Sequence, residues 1–378
     1  MKKKKLLTFF LALAFVYSLW LGYHFIRFKT YRIDASSSPP RELVGTYHIH
    51  STHSDGRKNV EAIARIAESE SLDFIILTDH GKPNYDSLAS QGWRGRVLVL
   101  AGSEISSNRG HLVVLGFDEP DRDFSSNAEE AAVQVRSLGG FSVIAHPYSK
   151  TPWTWGGPEG YGGIEIINAD SILKKSILSS LPYWPGLLIE PKFFFCKIAA
   201  PPKKNLAKWD VLNANSTSAV YGYYSVDAHL FYRTLFASLR IHIPRRAALS
   251  KNFEAAKRTV FNALKRGFFY SAVDAAAQAS GFRFWAEQEG RTIPMGGAAA
   301  AGVRVVLHAV SPPGIKHAFR IIHNGVTIHQ SDEGSLSYEV THPGDYRVEV
   351  YLRERTVLRS DVPWILSNPI FLKERTDG

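Results

Sequence analysis

Histidine and acidic residues follow two short apolar segments near the start of this chain. The first segment, residues 43–47, runs into HIHSTHSDG at 48–56, and the second, residues 74–77, runs into TDH at 78–80. Short apolar runs of this length are typical of buried strands. Residues two apart on a strand face the same side. The sequence therefore predicts that His48 and His50 bind one metal ion together.

The same arrangement recurs further along the chain. Apolar runs at 97–100 and 141–145 are followed by Glu104 and His146, His111 opens another run, and the run at 220–226 leads into DAH at 227–229. Functional groups of α/β folds collect where the carboxyl ends of the strands meet. A single histidine of this kind is usually structural. The presence of several histidines and acidic residues at strand ends instead favours one shared metal site.

In their order, the motifs HxH, SDG, TDH, an isolated Glu, GH, AHP and DAH resemble those of the polymerase and histidinol phosphatase (PHP) superfamily of metal-dependent hydrolases. The resemblance covers about residues 43 to 275 and is greatest to a carbaryl-hydrolase-like branch with a β-rich C-terminal domain. It implies an α/β fold in which a distorted seven-stranded (β/α)7 barrel holds two or three divalent ions.

The resemblance also implies nine metal ligands in three sets. These sets are His48, His50, Glu104 and Asp227; Glu104, His111 and His146; and Asp55, His80 and His229. Mixed imidazole and carboxylate ligands suit Zn, Mn or Fe and disfavour Ca or Mg. Two neighbouring ions can activate a shared water, so the expected nucleophile is a metal-bound hydroxide. The lone Cys196 stands apart from every motif, and no G-x-S-x-G sequence is present.

Five further residues are candidates for substrate contact or catalysis. Asp79, within TDH, is predicted to orient an imidazole. His53 stands where the family has an aromatic residue, and it either contacts substrate or a metal-bound water or is a stacking or solvent-facing histidine. Arg109 and Lys150 are candidates for binding a phosphate, and Trp153 for lining a substrate pocket.

Residues 171–202 combine prolines with several aromatic side chains. This composition fits a lid, or a pocket for an aromatic or lipid-like leaving group. It equally fits ordinary packing of helices against the barrel, because aromatic clusters are more often part of a core.

An apolar run at residues 6–26 follows four consecutive lysines. At about 1.5 Å per residue it is long enough to span a bilayer. A cleaved signal peptide has a shorter apolar core, so we predict an uncleaved transmembrane anchor over residues 1–33 and a linker over 34–41. The excess of positive charge before the run favours a cytoplasmic N-terminus. The catalytic domain is then periplasmic or extracellular.

The net charge of +10 does not indicate nucleic-acid binding. Seven basic residues and one acidic residue lie in the first 40 positions and account for six of these charges. A basic footprint would have to lie on the soluble domain. The sequence offers no basis for predicting an oligomeric state.

The barrel is predicted over residues 42–275, and a small β-sandwich over 276–378. Short alternating strands are expected in the second region, with Asn324-Gly325 suited to a type I′ hairpin turn. The histidines of this region lack ligand-like clustering with carboxylates, and we interpret them as structural. The final segment at 364–370 resembles the closing segment of the carbaryl-hydrolase-like branch and is expected to pack against the barrel.

The sequence as a whole predicts a membrane-anchored, metal-dependent hydrolase of a small-molecule ester, most directly a phosphoesterase. Two alternatives remain open. One is a carboxylic or carbamate ester hydrolase that uses the same site, and the other is a non-catalytic envelope module. The module is disfavoured because every expected ligand position is filled.

Overall fold

The computed structural model describes residues 2–31, 42–118, 120–156, 160–216, 218–245, 247–355 and 357–374. The predicted linker, residues 34–41, lies outside the described residues. The helices are α1 Lys2–Tyr31, α2 Val60–Ser69, α3 Tyr85–Ala89, α4 Ala128–Ser137, α5 Ala169–Ser180, α6 Pro185–Ile189, α7 Pro191–Ile198, α8 Lys203–Asn215, α9 Tyr232–Phe236 and α10 Phe253–Lys265.

The strands of the N-terminal part are β1 Leu43–Ile49, β2 Phe74–Leu77, β3 Gly92–Arg94, β4 Val97–Ala101, β5 Ser103–Ser107, β6 Gly110–Leu115, β7 Phe141–Ile144, β8 Gly163–Asn168, β9 Tyr221–Ser225, β10 Leu239–Ile243 and β11 Tyr270–Val273. The C-terminal region contains β12 Arg283–Gln288, β13 Arg291–Pro294, β14 Ala298–Ala300, β15 Val305–Val310, β16 His317–His323, β17 Val326–Ser331, β18 Ser335–Val340, β19 Gly344–Leu352, β20 Ile365–Ser367 and β21 Ile370–Lys373.

Two sheets carry the histidine-rich motifs. One contains the order β11-β10-β1-β2-β4-β3, and the other is β5-β6-β7-β8-β9. Strands β1, β2 and β4 are parallel, as are β7, β8 and β9. Two backbone bridges, Ile49 with Ala228 and His80 with Glu104, join the sheets at the motif-bearing strand ends. The fold is thus mixed α/β, and the count of seven barrel strands stays a prediction.

Helix α2 follows directly from its sequence. The Asn59 side chain accepts a hydrogen bond from the Ala62 N–H at 2.9 Å, which satisfies a backbone donor that the first turn leaves unpaired. Val60, Ile63, Ala64 and Ala67 are buried on one face. The helix therefore packs against the sheets and leaves the loop at residues 50–56 at the edge of the site.

The C-terminal region is rich in sheet, as predicted, and Asn324-Gly325 has positive φ angles of 48° and 82° in the β16–β17 hairpin. The sheet β13-β12-β15-β18 stands apart, but β20 pairs with both β11 and β19. The C-terminal strands thus continue a sheet of the N-terminal part. Strand β20 lies in the closing segment at 364–370, which the sequence predicts to pack against the barrel, and there it pairs with β11.

Within the described part of the chain, α1 is the one helix long and apolar enough to cross a membrane, with a mean hydropathy of 1.9 over its most apolar stretch. A signal sequence near an N-terminus meets the same criteria. The end of α1 packs against α7, where Phe28 is fully buried and its ring centre lies 5.5 Å from that of Phe193.

A buried charged cluster ties the strand β10 to the C-terminal region. The two ring nitrogens of His242 lie 3.2 Å from Glu42 and 3.2 Å from Asp274. Arg283, at the start of β12, pairs with the same Glu42, and Arg240 lies 3.7 Å from Asp274. Burial alone would lower the pKa of His242, but the two carboxylates raise it to about 9.

This cluster predicts a loss of stability at alkaline pH. The pKa of His242 is raised on folding from 6.5 to about 9. Its contribution to the free energy of unfolding is therefore complete below pH 6.5 and is lost as the pH rises through 9. The shift corresponds to about 3 kcal/mol. Thermal unfolding of the full chain in detergent should show the wild type losing stability between pH 6 and pH 10 relative to His242→Gln. An equal decline in both proteins would contradict the assignment.

Candidate metal centre

The nine predicted ligands converge at the junction of the two sheets. The Nε2 atoms of His48 and His50 lie 3.4 Å and 3.3 Å from Glu104 Oε2, and both lie 3.4 Å from Asp227 Oδ1. The other oxygen of Glu104, Oε1, lies 2.9 Å from both His111 and His146. Glu104 therefore lies between the first two predicted ligand sets.

The third predicted set occupies the outer side of the same cluster. Asp55 Oδ2 lies 3.2 Å from His229 Nε2 and 3.7 Å from His80 Nε2, and Asp55 Oδ1 lies 3.4 Å from His50 Nδ1. Asp55 is 55% exposed, whereas Glu104 is buried. The centre thus extends from a buried interior to an accessible rim.

The inner group has the features of a cation site. Ligands about 2.1 Å from a tetrahedral ion lie about 3.4 Å from one another, which matches the separations around His48 and His50. The Nε2 atoms of both histidines and Oδ1 of Asp227 are buried without a hydrogen-bond partner. Buried polar atoms are normally satisfied, and a divalent cation among these atoms would satisfy them. The residues present therefore fit the implied metal.

Three of the ligand positions have unusual backbone conformations. His48, His146 and Asp227 have φ angles of 68°, 26° and 49°. Residues other than glycine rarely adopt positive φ angles, and backbone strain of this kind is concentrated at functional sites. At His48 the pairing of β1 with β2 shifts register between Tyr47 and Ile49. This irregularity gives the ring of His48 a direction that a regular strand would not.

The structure adds Glu165, which the motif analysis missed. Glu165 is fully buried on β8, and its Oε1 lies 2.6 Å from His48 Nδ1 and accepts from the Tyr47 hydroxyl at 2.8 Å. Its Oε2 accepts from the backbone N–H of His146 at 2.7 Å. A carboxylate on the far nitrogen fixes the tautomer and orientation of a ligating histidine. The one feature of the sequence that could have revealed Glu165 is its position as the single acidic residue in the otherwise apolar GIEII segment.

Asp79, predicted to orient an imidazole, accepts hydrogen bonds from serines, and one of these, Ser54, lies 3.4 Å from His50 Nδ1. Its Oδ1 accepts from the Ser51 N–H and the Ser54 hydroxyl, each at 2.6 Å, and its Oδ2 accepts from the Ser51 and Ser87 hydroxyls. It therefore holds the loop that presents Asp55. The pairing of Asp79 with serines instead of histidine depends on the approach of α3, which the local sequence does not reveal.

Of the remaining candidates, only Lys150 faces the metal-centre cavity. His53 contacts the Ser90 hydroxyl at 3.0 Å and lies outside the cavity lining. Arg109 pairs with Glu129 at 2.9 Å. Trp153 is 4% exposed and packs in the core against Tyr161, with ring centres 5.5 Å apart. These three side chains are held by neighbours whose positions the sequence alone does not give.

A cavity of about 800 Å³ opens above the cluster. Seven of the nine predicted ligands contribute to its walls, and His48 and His50 lie buried beneath them. Lys150, Lys174 and Lys175 also face it. Burial alone would raise the pKa of Glu104, but the imidazoles of His48, His111 and His146 hold it well below its usual range. The floor thus holds an ionised carboxylate and the rim holds cations.

No protein-family model and no curated protein matches the chain. Among solved structures, a two-domain Bacteroides vulgatus protein described as containing a predicted PHP-like metal-dependent phosphoesterase matches with 15% identity and a TM-score of 0.39, over 89% of this chain and 98% of that one. A Bifidobacterium adolescentis protein described as a metal-dependent phosphoesterase matches with 13% identity and a TM-score of 0.31, over 52% and 90%.

A third structure, a Chromobacterium violaceum amidohydrolase with bound sulfate and no metal, matches with 16% identity and a TM-score of 0.29, over 49% of this chain and 87% of that one. Likeness at these identities and TM-scores assigns no activity to this chain. Its function is therefore inferred from its own side chains.

The position of Glu165 generates a test of the centre. Glu165→Gln keeps the shape of the side chain but removes the charge that holds His48, and should weaken Zn or Mn binding about 10- to 100-fold. Metal affinity of the full chain is measured by competition with a chelating dye. Glu68→Gln, at an exposed ion pair with Arg96, is the control. An unchanged affinity in Glu165→Gln would contradict the assigned role.

Proposed function

We propose that the chain is a membrane-anchored, metal-dependent hydrolase that cleaves phosphate esters. The observation that carries this proposal is the convergence of nine imidazole and carboxylate side chains beneath a cavity with lysines at its rim. Several of the converging atoms are buried and unpartnered. Such a centre is chemically incomplete without divalent cations, and Zn, Mn and Fe, as two or three ions, suit its ligands.

Divalent ions bound in this centre would polarise a phosphoryl oxygen and lower the pKa of water. Glu104 is placed to be shared between them, because its two oxygens face different histidines. Glu165 holds His48 with Nε2 directed inward. Asp79 anchors the loop of Asp55. These residues fix the ligand geometry, and the attacking group in the proposed reaction is water.

The rim lysines favour an anionic substrate. Lys174 pairs with Asp170, and although partial burial lowers its pKa, Asp170 and nearby carboxylates raise it overall, so the side chain is cationic at neutral pH. Lys175 donates to the carbonyl of Tyr148. Lysine is a common ligand of phosphate. Lys150 and Lys175, which line the cavity, are therefore the leading candidates for binding the phosphate, whereas Lys174 is engaged by Asp170 and Arg109 by Glu129.

The anchor is supported by the packing of α1. Phe28 is fully buried and Phe25 lies with its ring centre 4.8 Å from that of Phe193. A signal peptide that is removed would not contribute to the core of the mature protein. We therefore propose that α1 is retained, with its N-terminus in the cytoplasm and the catalytic domain outside.

Replacing the shared carboxylate tests the centre and the activity together. Glu104→Gln should lower metal occupancy and reduce phosphodiester turnover by at least about a hundredfold, because it removes the negative charge at the middle of the cluster. Metal content and hydrolysis of a 4-nitrophenyl phosphodiester are measured on the same samples. Glu129→Gln, at the ion pair with Arg109 outside the cavity, is the control. Normal turnover in Glu104→Gln would contradict the proposal.

Substitutions of the rim lysines test whether the substrate is a phosphate ester or a neutral ester. Lys150→Ala combined with Lys175→Ala should raise KM for the phosphodiester about tenfold, because two attractions to the anion are lost. KM for neutral 4-nitrophenyl acetate should stay within about twofold, and kcat/KM for both is measured on metal-loaded protein. A larger rate enhancement over the uncatalysed reaction for the acetate than for the phosphodiester in the wild type would instead favour a carboxylic ester hydrolase. A metal-loaded wild type that cleaves neither would favour a non-catalytic module.

A further inference from the structure

A second, apolar cavity of about 260 Å³ adjoins the metal centre. It shares Asp227 and His229 with the larger cavity, as well as Asp170, Lys174 and Ile177. Its other walls are largely hydrocarbon and include Leu173, Trp184, Leu187, Phe194, Leu230 and Leu235. The metal centre thus has a polar, cationic side and an apolar side.

The helices that form this second cavity also expose an apolar patch, defined as Ile177, Leu178, Leu181, Leu188 and Ile189. Leu178 is 82% exposed and Leu188 is 91% exposed. These five residues lie within 13 positions of one another in the sequence, and groups of exposed apolar side chains mark contacts with a partner or a membrane. The patch and the second cavity share Ile177, so the patch lies at the outer edge of the cavity.

Helix α1 indicates which of these contacts the patch makes. The Tyr17 hydroxyl donates to the Pro182 carbonyl at 2.8 Å, the ring of Trp20 lies 5.5 Å from that of Tyr183, and Phe28 lies against Phe193. Phe28 lies eleven positions after Tyr17 on this helix, which corresponds to a rise of about 16 Å along the helix axis. The turn at residues 181–183 therefore lies beside the middle of the apolar helix. If α1 spans a bilayer, the patch lies at the depth of the hydrocarbon.

We infer that the substrate is a lipid phosphoester, with its hydrocarbon chain in the apolar cavity and its phosphate at the metal centre. This inference rests on the proposed hydrolase function and names its substrate class. The hydrocarbon chain of the lipid enters beside the apolar patch, from the membrane leaflet at the C-terminal end of α1. Water adds to phosphorus, the phosphorus–oxygen bond to the leaving alcohol breaks, and a proton from water ends on that alcohol. Lys174, which lines both cavities, stands where the headgroup meets the chain.

The test compares two probes that share one leaving group, hexadecyl 4-nitrophenyl phosphate and methyl 4-nitrophenyl phosphate. Full-length, Mn-loaded protein is assayed with both in the same mixed micelles. The wild type should show a kcat/KM at least about tenfold higher for the hexadecyl probe, because buried methylenes contribute about 0.8 kcal/mol each. Release of 4-nitrophenol is the readout for both.

Variants that narrow the cavity separate pocket binding from simple partitioning into micelles. Leu173→Trp and Ile177→Trp should each reduce the hexadecyl-to-methyl ratio of kcat/KM at least fivefold. Ile177 is 51% exposed and so tolerates a larger side chain. Val133→Trp, at a 52% exposed position of α4 outside both cavities, should leave the ratio unchanged.

Two results would overturn the inference, and they have different meanings. Hydrolysis of both probes with a ratio that neither narrowing variant changes would refute the lipid pocket while leaving the phosphoesterase proposal intact. Absence of hydrolysis of either probe by metal-loaded wild type would refute the phosphoesterase proposal, and the substrate assignment with it. A ratio that falls in the narrowing variants but not in Val133→Trp supports the lipid substrate.

Discussion

The centre depends on the interaction between the buried carboxylate of Glu104 and the imidazoles around it. Burying a charge is costly unless it is paired, and Glu104 lies within 3.4 Å of five imidazoles contributed by both sheets. One oxygen faces His48, His50 and His80, and the other faces His111 and His146. The strand ends must therefore meet around this side chain. The positive φ angles at His48 and His146 are tolerated because Glu104 holds both rings, and that of Asp227 because it contacts His48 and His50.

Local sequence placed the candidate ligands at strand ends, and the structure brings their side chains together. The spacing of His48 and His50, and the position of Asp227 after a strand, are visible within a few residues. Glu165 was missed because its role arises from contact with His48, 117 residues away. The serine contacts of Asp79 were not foreseen for a similar reason, since α3 brings Ser87 to it. The closing segment at 364–370 was expected to pack against the barrel, but its strand pairing with β11 depends on contacts about 95 residues away in the sequence.

The aromatic segment at residues 171–202 illustrates how two interpretations can both apply to one stretch of chain. Phe193 and Phe195 are buried in the core, as ordinary helix packing requires. Leu178 and Leu188 are exposed, and Trp184 lines the apolar cavity. Sequence composition averages over these roles, whereas helix geometry separates them. The proposed lipid pocket, the packing of α1 and the rim lysines are all features that the proposed membrane-anchored hydrolase would need.

The central claim is that the imidazole and carboxylate cluster binds divalent cations, and X-ray absorption spectroscopy of the Zn- or Mn-loaded full chain tests it most directly. The predicted spectrum has nitrogen and oxygen neighbours at about 2.0–2.2 Å together with the outer-shell scattering of several imidazole rings. A metal surrounded by oxygen alone, without imidazole scattering, would place the ion elsewhere on the protein and contradict the account.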